Sequence, residues 1–215
     1  MERTQGMPQR KSRAESRSET RALLLDAALA VFTEKGYATA SVEEIAARAG
    51  FTRGAFYSNF ADKDEILFTL MDARMEQRIA EVEAVMESSS PLTVFADLND
   101  WSHRASDENP LARVTLNAEF RVHALRNETA RQQLAARERV LLEQYARAIQ
   151  GLHDAVGVEP PAPVEDLAAL VFVLDSFIPL QRSIDPDRFR GGLMFDLLTT
   201  LFRAGIALAE KQTDS

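Results

Sequence analysis

The segment from Ser41 to Lys63, SVEEIAARAGFTRGAFYSNFADK, constrains the fold more than any other part of the chain. Ser41 and Glu44 have the spacing of a capping box, in which two side chains satisfy backbone N–H groups at the start of a helix. Apolar residues then recur at helical spacing, and Gly50 stands where a left-handed residue commonly ends a helix. Thr52 suits the cap of a second helix. The segment therefore predicts two short helices joined by a glycine turn.

The second predicted helix has a buried face and an outward face. Phe56 and Phe60 are four residues apart, so they share the side that packs on neighbouring helices. The remaining surface is small and polar, and it consists of Arg53, Gly54, Ala55, Tyr57, Ser58 and Asn59. In a DNA groove, an arginine can pair with guanine, a methyl group can contact thymine, and hydroxyl and amide groups can reach phosphates. The pattern indicates a DNA-recognition helix.

The same residues also have an ordinary structural interpretation. A capped helical hairpin is often only structure, and Arg53 by itself would be a surface arginine. Tyr57 by itself would be a half-buried packing residue, and Lys63 a solvated lysine at a helix start. The spacing of the whole set favours DNA binding over that interpretation.

Residues 20–67 resemble the N-terminal domain of tetracycline-repressor-like (TetR-family) transcriptional regulators. The likeness is carried by GYATASVEEIAARAG and FTRGAFYSNFADKDEIL, which combine turn, cap, aromatic and lysine positions in order. The resemblance implies that Arg53 and Ala55 read bases and that Gly54 permits close approach of the backbone to DNA. It also implies a ligand-responsive regulator, with repression as the family expectation.

The resemblance further implies phosphate contacts from Tyr57, Asn59 and Lys63. Asn59 departs from the family pattern, because many members carry histidine or an aromatic residue there. Thr39, just before the capped helix, is a candidate for an additional backbone contact. The full predicted DNA-contacting set is Thr39, Ser41, Thr52, Arg53, Gly54, Ala55, Tyr57, Ser58, Asn59 and Lys63.

Composition limits the other classes of function. The 215 residues suffice for one large or two small domains, and the absence of cysteine excludes disulfides, thiolate metal sites and cysteine nucleophiles. The N-terminal residues lack an apolar signal core, and the longest apolar run, 167–174, is too short to span a bilayer. We therefore expect a cytoplasmic protein without membrane contact.

Charge is unevenly distributed along the chain, whose formal net charge is −8. Residues 1–63 carry 10 Lys+Arg against 8 Asp+Glu, whereas residues 64–215 carry 15 against 25. Because salt screens charges beyond roughly 8 to 10 Å, the local balance matters most at a DNA surface. The acidic remainder should help to orient the basic end towards DNA.

We predict three parts: a mobile basic arm at 1–19, a helix-turn-helix DNA-binding domain at 20–63, and a helical ligand-binding and dimerisation domain at 64–215. Either the arm reaches a neighbouring minor groove or it is a solvated tail. Its basic residues considered for DNA contact are Arg10, Lys11, Arg13 and Arg17.

The fold class is predicted to be all-α, with about nine helices, because no strand-like alternation appears. A first helix ends at Gly36, and a long fourth helix runs from Asp62 to Met86. Further helices are expected near 92–106, 110–125, 128–156, 164–184 and 187–211. Prolines and turn residues separate several of them.

The last two helices, 164–184 and 187–211, are apolar around much of their circumference. A single chain would leave part of that surface exposed, so we expect a homodimer through a four-helix interface. The alternative is that both helices lie at the centre of one subunit. A dimer would place two recognition helices about 34 Å or more apart, suited to a palindromic operator.

The C-terminal domain is the predicted sensor of a small, largely apolar molecule. Pro179 should interrupt the hydrogen bonding of its helix. Aromatic and methionine residues at helical spacing are ordinarily core, so an effector-lining role competes with simple packing. The candidate lining residues are Phe68, Met71, Met75, Phe95, Trp101, Phe120, His123, Asp175 and Phe177.

Catalysis and metal binding are disfavoured. Glu119 and His123 are four residues apart and could share a metal, but a hydrogen-bonded pair is the better interpretation with three histidines and no cysteine. No phosphate loop or nucleophile elbow is present, so we expect neither an enzyme nor a bound cofactor. The alternative function is an all-helical protein-interaction module without sequence-specific DNA binding.

Overall fold

The computed structural model describes residues 13–104 and 110–213, and within those ranges every regular element is an α-helix. This confirms the all-α prediction. The helices, in chain order, are α1 (Arg13–Lys35), α2 (Val42–Arg48), α3 (Arg53–Tyr57), α4 (Lys63–Ser88), α5 (Val94–Arg104), α6 (Pro110–Arg126), α7 (Glu128–Val156), α8 (Val164–Ile184) and α9 (Leu193–Thr213).

The chain divides into two compact units, with the boundary between Arg74 and Met75. This boundary lies inside α4, eleven residues after the predicted one at 63/64. The difference has a packing cause, because Ile66, Leu67 and Phe68 are at most 2% exposed in the first unit. The first turns of α4 therefore belong to the core of the first unit.

The first unit packs α1, α2 and α3 around apolar side chains that are almost fully buried. Leu24 and Phe32 come from α1, Ile45 from α2 and Phe56 from α3. Gly36, just after α1, has φ +79°, a left-handed conformation that costs glycine little. The predicted end of the first helix is thus confirmed.

The predicted arm needs correction at its C-terminal side. Residues 13–19 form the first turns of α1, so Arg13 and Arg17 are helical. Arginine, glutamate and serine are compatible with an exposed helix, although their polarity gives no amphipathic signal. Arg10 and Lys11 lie outside the described residues.

In the second unit, α7 packs against α6 and α8, and α5 packs against α9. A small core forms around Val94, Leu98 and Phe195. Asn127 caps α7 by accepting a hydrogen bond from the amide of Ala130, and Gly157 ends that helix at φ +68°. These contacts hold the long helices of the unit in place.

Two helix limits differ from the expectations. α5 begins at Val94 rather than 92, and α9 begins at Leu193 rather than near Asp187; the expected end of α5 at 106 lies outside the described residues. Residues 186–188 and 191–192 form turns, and Gly192 has φ +80°. That left-handed glycine, which interrupts helical geometry before α9, explains the later start.

Candidate nucleic-acid interface

The start of α2 has the predicted capping box. The hydroxyl of Ser41 accepts a hydrogen bond from the amide of Glu44 at 3.2 Å, and the Glu44 carboxylate accepts one from the amide of Ser41 at 3.2 Å. Gly50 follows α2 with φ +77°. Because α2 and the turn are fixed locally, the direction in which the chain enters α3 is also fixed.

α3 is buried on one side, as predicted. Thr52 caps it by accepting a hydrogen bond from the amide of Ala55 at 3.3 Å. Phe56 and Phe60 are 0% and 1% exposed, with ring centroids 5.8 Å apart. The two rings attach this five-residue helix to the rest of the first unit.

The other side of α3 faces solvent. Arg53, Gly54, Tyr57 and Ser58 are exposed, and Ala55 is half-buried. A Cβ added at Gly54 would meet only the Thr52 hydroxyl oxygen, at 3.7 Å, which is ordinary contact. Internal packing therefore does not require glycine there, and its role in close approach to DNA stays a prediction.

Arg53 is held above this face by two neighbours. Its guanidinium lies 2.7 Å from a carboxylate oxygen of Glu43 in α2 and donates to the Tyr57 hydroxyl at 3.4 Å. The guanidinium carbon is 5.4 Å from the centroid of the Tyr57 ring. The Tyr57 hydroxyl and the Glu43 charge raise the pKa of Arg53 above its ordinary value, so the group stays cationic.

Two predicted phosphate ligands are turned towards the helix itself. The Ser58 hydroxyl donates to the carbonyl of Gly54 at 2.8 Å, and the Asn59 side-chain amide donates to the carbonyl of Ala55 at 2.8 Å. The Asn59 amide oxygen is buried and has no hydrogen-bond partner among the described residues. Phosphate contact by either side chain stays a prediction.

Lys63 has an internal role that its sequence position did not indicate. Its ammonium donates to the carbonyls of Tyr37 and Ala40 at 2.6 and 2.9 Å, and it lies 4.3 Å from the centroid of the Tyr37 ring. The lysine thereby ties the start of α4 to the turn before α2. Its contact with phosphate stays a prediction.

The remaining candidates lie at the same turn. The Thr39 hydroxyl is exposed and donates to the carbonyl of Lys35. Ser41 is half-buried because its hydroxyl serves the cap. Both residues lie in the segment between α1 and α2, and the hydroxyl of each one makes a hydrogen bond within the chain.

Two arginines of α1 were missed as positioning residues. Arg17 donates to the carbonyl of Ser58 at 3.2 Å, and Arg21 donates to the carbonyl of Asn59 at 2.6 Å. The Arg21 guanidinium also lies 4.0 Å from the centroid of the Phe60 ring. These contacts join residues about forty positions apart, so no local sequence pattern indicates them.

Known proteins with the same organisation identify the family. The model for "Bacterial regulatory proteins, tetR family" matches residues 24–70, which span the second half of α1, all of α2 and α3, and the first turns of α4. The HTH-type transcriptional regulator AcrR of Shigella flexneri is 32% identical over 150 residues, which are 68% of this chain and 68% of AcrR. The chain belongs to the TetR family of bacterial regulatory proteins.

Solved structures agree with this assignment. SmeT, from Stenotrophomonas maltophilia, is 25% identical in its triclosan complex, with a TM-score of 0.62 over 84% of this chain and 90% of that one. A transcriptional regulator from Rhodococcus sp. Rha1 shares the fold at 24% identity, with a TM-score of 0.66 over 88% and 97%. This TetR-family chain is therefore a DNA-binding transcriptional regulator, and proteins of this family are not generally enzymes.

The predicted effector residues of this TetR-family regulator come from both units. Phe68 is 2% exposed and belongs, with half-buried Met71, to the first unit. Phe120 is 1% exposed, and its ring centroid is 5.6 Å from that of His123. Phe177 is 51% exposed in the single chain, and its role as a lining residue stays a prediction.

Three other candidates belong to the second unit, and two of them pack against its core. Phe95 and Trp101 pack against the core of Val94, Leu98 and Phe195, and Phe95 also stacks edge-on with Phe202 at 5.6 Å. Met75, at the start of the second unit, is half-buried. Packing is therefore the role that these contacts establish.

Asp175 is the predicted residue with the most specific surroundings. Its carboxylate lies 2.7 Å from the guanidinium of Arg78 in α4 and accepts a hydrogen bond from the Tyr145 hydroxyl of α7 at 3.0 Å. The Arg78 guanidinium carbon is in turn 5.4 Å from the centroid of the Trp101 ring. Arg78 and Tyr145 were missed because they lie on other helices.

Metal-binding groups are not clustered in the described part of this TetR-family chain. Within residues 13–104 and 110–213, no three His, Asp or Glu side chains come close enough to hold a metal ion together. His123 instead packs on Phe120. The hydrogen-bonded interpretation of the Glu119 and His123 pair stays a prediction.

Proposed function

We propose that this TetR-family regulator binds a palindromic operator as a homodimer and is released from it by a small, largely apolar molecule. The observation that carries the proposal is that α3 has one buried side, attached through Phe56 and the nearby Phe60, and one side exposed to solvent. Burial of the two phenylalanines leaves an exposed polar face with a single arginine, narrow enough to enter a major groove.

On this face, Arg53 and Ala55 read base edges, and the Gly54 backbone approaches the DNA. Tyr57, Ser58, Asn59 and Lys63 serve phosphates, as do the backbone and hydroxyl groups around Thr39, Ser41 and Thr52. Exposure of Arg53 and Tyr57 supports this division of roles.

The homodimer forms through α8 and α9. On α8 the exposed apolar residues Leu170, Val173 and Phe177 are spaced by three and four, and Leu197 and Leu201 of α9 are spaced by four. This spacing is the seam of helices that pack side by side. A two-fold axis through the seam pairs the two copies and their recognition helices.

The same apolar surface accounts for one ambiguous property of α8. By length and composition alone, α8 could cross a membrane, and only 6% of its most apolar window is buried within the chain. A dimer partner covers such a surface without a bilayer. Together with the family, this supports a cytoplasmic regulator that does not enter a membrane.

The direction of regulation and the effector are proposed from relatives. SmeT is described as the repressor of a multidrug efflux pump, and its structure in complex with triclosan has been solved. FasR of Mycolicibacterium smegmatis, 31% identical over 74 residues, is described as an activator. The similarity to SmeT covers 84% of this chain, whereas the similarity to FasR covers 34%. We therefore infer from SmeT that this protein is a repressor with a small apolar effector.

Effector binding in the second unit would act through α4. This helix begins in the first unit at Lys63 and continues into the second unit at Met75. A shift of α4 would change the distance or tilt between the two recognition helices. A coupling free energy of about 1 to 3 kcal/mol is typical of such linkage, and operator DNA must weaken effector binding by the same factor.

Selection of bound duplexes from random DNA tests the proposal. A recovered palindrome, with half-sites separated by about one helical turn or a multiple of it, would establish operator binding and two-fold symmetry together. The alternative, an interaction module without sequence-specific DNA binding, predicts no enriched sequence. Absence of duplex binding by the ligand-free protein at low salt would refute the proposal.

A further inference from the structure

Four helices of the second unit meet at an unusual polar group. Arg78 of α4 pairs with Asp175 of α8 at 2.7 Å, and Tyr145 of α7 donates to the other carboxylate oxygen of Asp175 at 3.0 Å. Trp101 of α5 presents its ring 5.4 Å from the guanidinium carbon of Arg78. A carboxylate and an aromatic ring thus share one cation.

Within this group, the carboxylate of Asp175 is more buried than the guanidinium of Arg78 that pairs with it. The Asp175 side chain is 22% exposed, whereas the Arg78 side chain is 44% exposed. Burial and the Asp175 charge raise the pKa of Tyr145, so its hydroxyl keeps the proton that it donates to the carboxylate. Arg78 can therefore withdraw into water, while Asp175 would stay oriented by Tyr145.

Removal of the Arg78 head group would leave the Asp175 carboxylate without a cation. A partly buried carboxylate that loses its partner is costly, so the vacancy selects a positive replacement. A carboxylate ligand attracted to Arg78 would leave Asp175 unpaired and beside a second negative charge. Asp and Glu also outnumber Lys and Arg in residues 64–215, so the net negative charge of this region attracts cationic ligands.

The residues around Asp175 also indicate which uncharged group the cationic ligand would carry. Trp101 packs against the apolar core of Val94, Leu98 and Phe195. An aromatic face attracts a cation within about 6 Å of its centroid, and the half-buried Trp101 ring can also cover an uncharged group attached to that cation. A planar cation attached to an aromatic or aliphatic group matches both features.

We propose that Trp101, Tyr145 and Asp175 form a binding site for a lipophilic organic cation of the guanidinium or amidinium type, in which the Arg78 side chain is the internal occupant. As the effector class of the regulator, this rests on the proposed function. Ligand entry displaces Arg78 from Asp175 and so removes an ion pair between α4 and α8. The site thereby joins effector binding to the helix that begins at the DNA-binding unit.

Phenylguanidine and phenylurea test the site, because they have nearly the same shape and only the first is charged at neutral pH. Trp101 is the single tryptophan of the chain, so its emission reports binding directly, with titration calorimetry as a second measurement. We expect phenylguanidinium to bind saturably and at least about tenfold more tightly than phenylurea. Equal affinity for the two compounds would overturn the proposal.

Three variants assign the binding to this group. Asp175→Asn should weaken phenylguanidinium binding by about tenfold, and Arg78→Met should strengthen it, because the competing guanidinium is gone. Asp166→Asn, which removes an exposed carboxylate of the same helix, is the matched control and should change nothing. Unchanged affinity in Asp175→Asn, or weaker binding in Arg78→Met, would overturn the assignment.

Measurements of operator binding distinguish failure of the cation site from failure of the proposed regulator function. Phenylguanidinium should lower operator affinity of the wild type and not that of Asp175→Asn. Binding without any effect on the operator would overturn the effector role and leave the cation site in place. A protein that binds the cation and no DNA would refute the proposed regulator alone. Circular dichroism of each variant establishes that a loss of binding is not a loss of fold.

Discussion

The guanidinium of Arg21 donates a hydrogen bond to the backbone carbonyl of Asn59 at 2.6 Å, and so α1 holds the chain two residues beyond the end of the recognition helix. Carbonyls at a helix C-terminus lack intrahelical partners and carry partial negative charge, which makes a cation favourable there. The same guanidinium covers the Phe60 ring at 4.0 Å. One arginine thus stabilises both the end of α3 and its aromatic attachment.

Arg21→Met should lower the free energy of unfolding by about 1 to 2 kcal/mol, because the hydrogen bonds to Asn59 and Thr69 are lost while the stem is kept. Affinity should fall to a similar degree for all DNA sequences, since α3 is held less firmly. Urea unfolding and competition binding measure the two effects. Arg48→Met, which breaks an exposed pair with Glu34, is the control and should have little effect on stability.

Arg53→Ala should relax the sequence preference at one position of each half-site by about tenfold, because a bidentate contact to guanine is lost. The ratio of affinities for the selected operator and a single-base variant measures this. Arg139→Ala, at an exposed arginine of α7, should leave the ratio unchanged. An unaltered ratio in Arg53→Ala would show that the base readout was assigned to the wrong residue.

Glu43 gives Arg53 a second property to test. The carboxylate of Glu43 holds the guanidinium in the ligand-free protein, so it must release or share that group when the arginine reaches a base. Glu43→Gln should raise affinity for operator and for random DNA, because one negative charge near the phosphates is removed. A weaker preference for operator over random DNA in this variant would instead indicate that Glu43 positions Arg53.

Lys63→Met should reduce both stability and DNA affinity. Two hydrogen bonds to the Tyr37 and Ala40 carbonyls are lost, at a cost of about 1 to 2 kcal/mol in the free energy of unfolding. If the ammonium also meets a phosphate, the slope of log affinity against log salt should fall by about one for each half-site. Lower stability with an unchanged slope would leave Lys63 a purely structural residue.

Local spacing was sufficient to predict α2, α3 and the turn between them. The Ser41 and Glu44 box, the Thr52 cap and the Phe56 and Phe60 pair each depend on residues no more than four apart. Such contacts are fixed by helix geometry itself, so a sequence displays them directly. The outward face of α3 then follows as the side that the two rings leave uncovered.

Contacts between distant helices were not accessible in this way. Arg21 and Asn59 are 38 residues apart, and Arg78 and Asp175 are 97 apart. Phe68 and Phe177 have similar apolar surroundings in the sequence, yet one is 2% and the other 51% exposed. Hydrophobic periodicity identifies a face of a helix and does not say which neighbour covers it.

The exposed seam of α8 makes the dimer testable by one charge. Val173 is 56% exposed between Leu170 and Phe177, at the centre of the seam. Val173→Glu places two carboxylates, one from each copy, into an apolar contact related by two-fold symmetry, where neither has a partner. We expect the variant to sediment as a 23.9 kDa monomer and to lose preference for a palindrome over a single half-site.

Leu125→Glu is the matched control for this experiment. Leu125 is 72% exposed on α6, outside the proposed interface, so the same kind of charge should leave the dimer intact. Analytical ultracentrifugation separates the two cases, and circular dichroism monitors the helical fold. If Val173→Glu remains dimeric while Leu125→Glu dissociates, the subunits pair through α6 and not through the seam of α8. The two-fold axis that relates the recognition helices would then pass through an interface formed by α6.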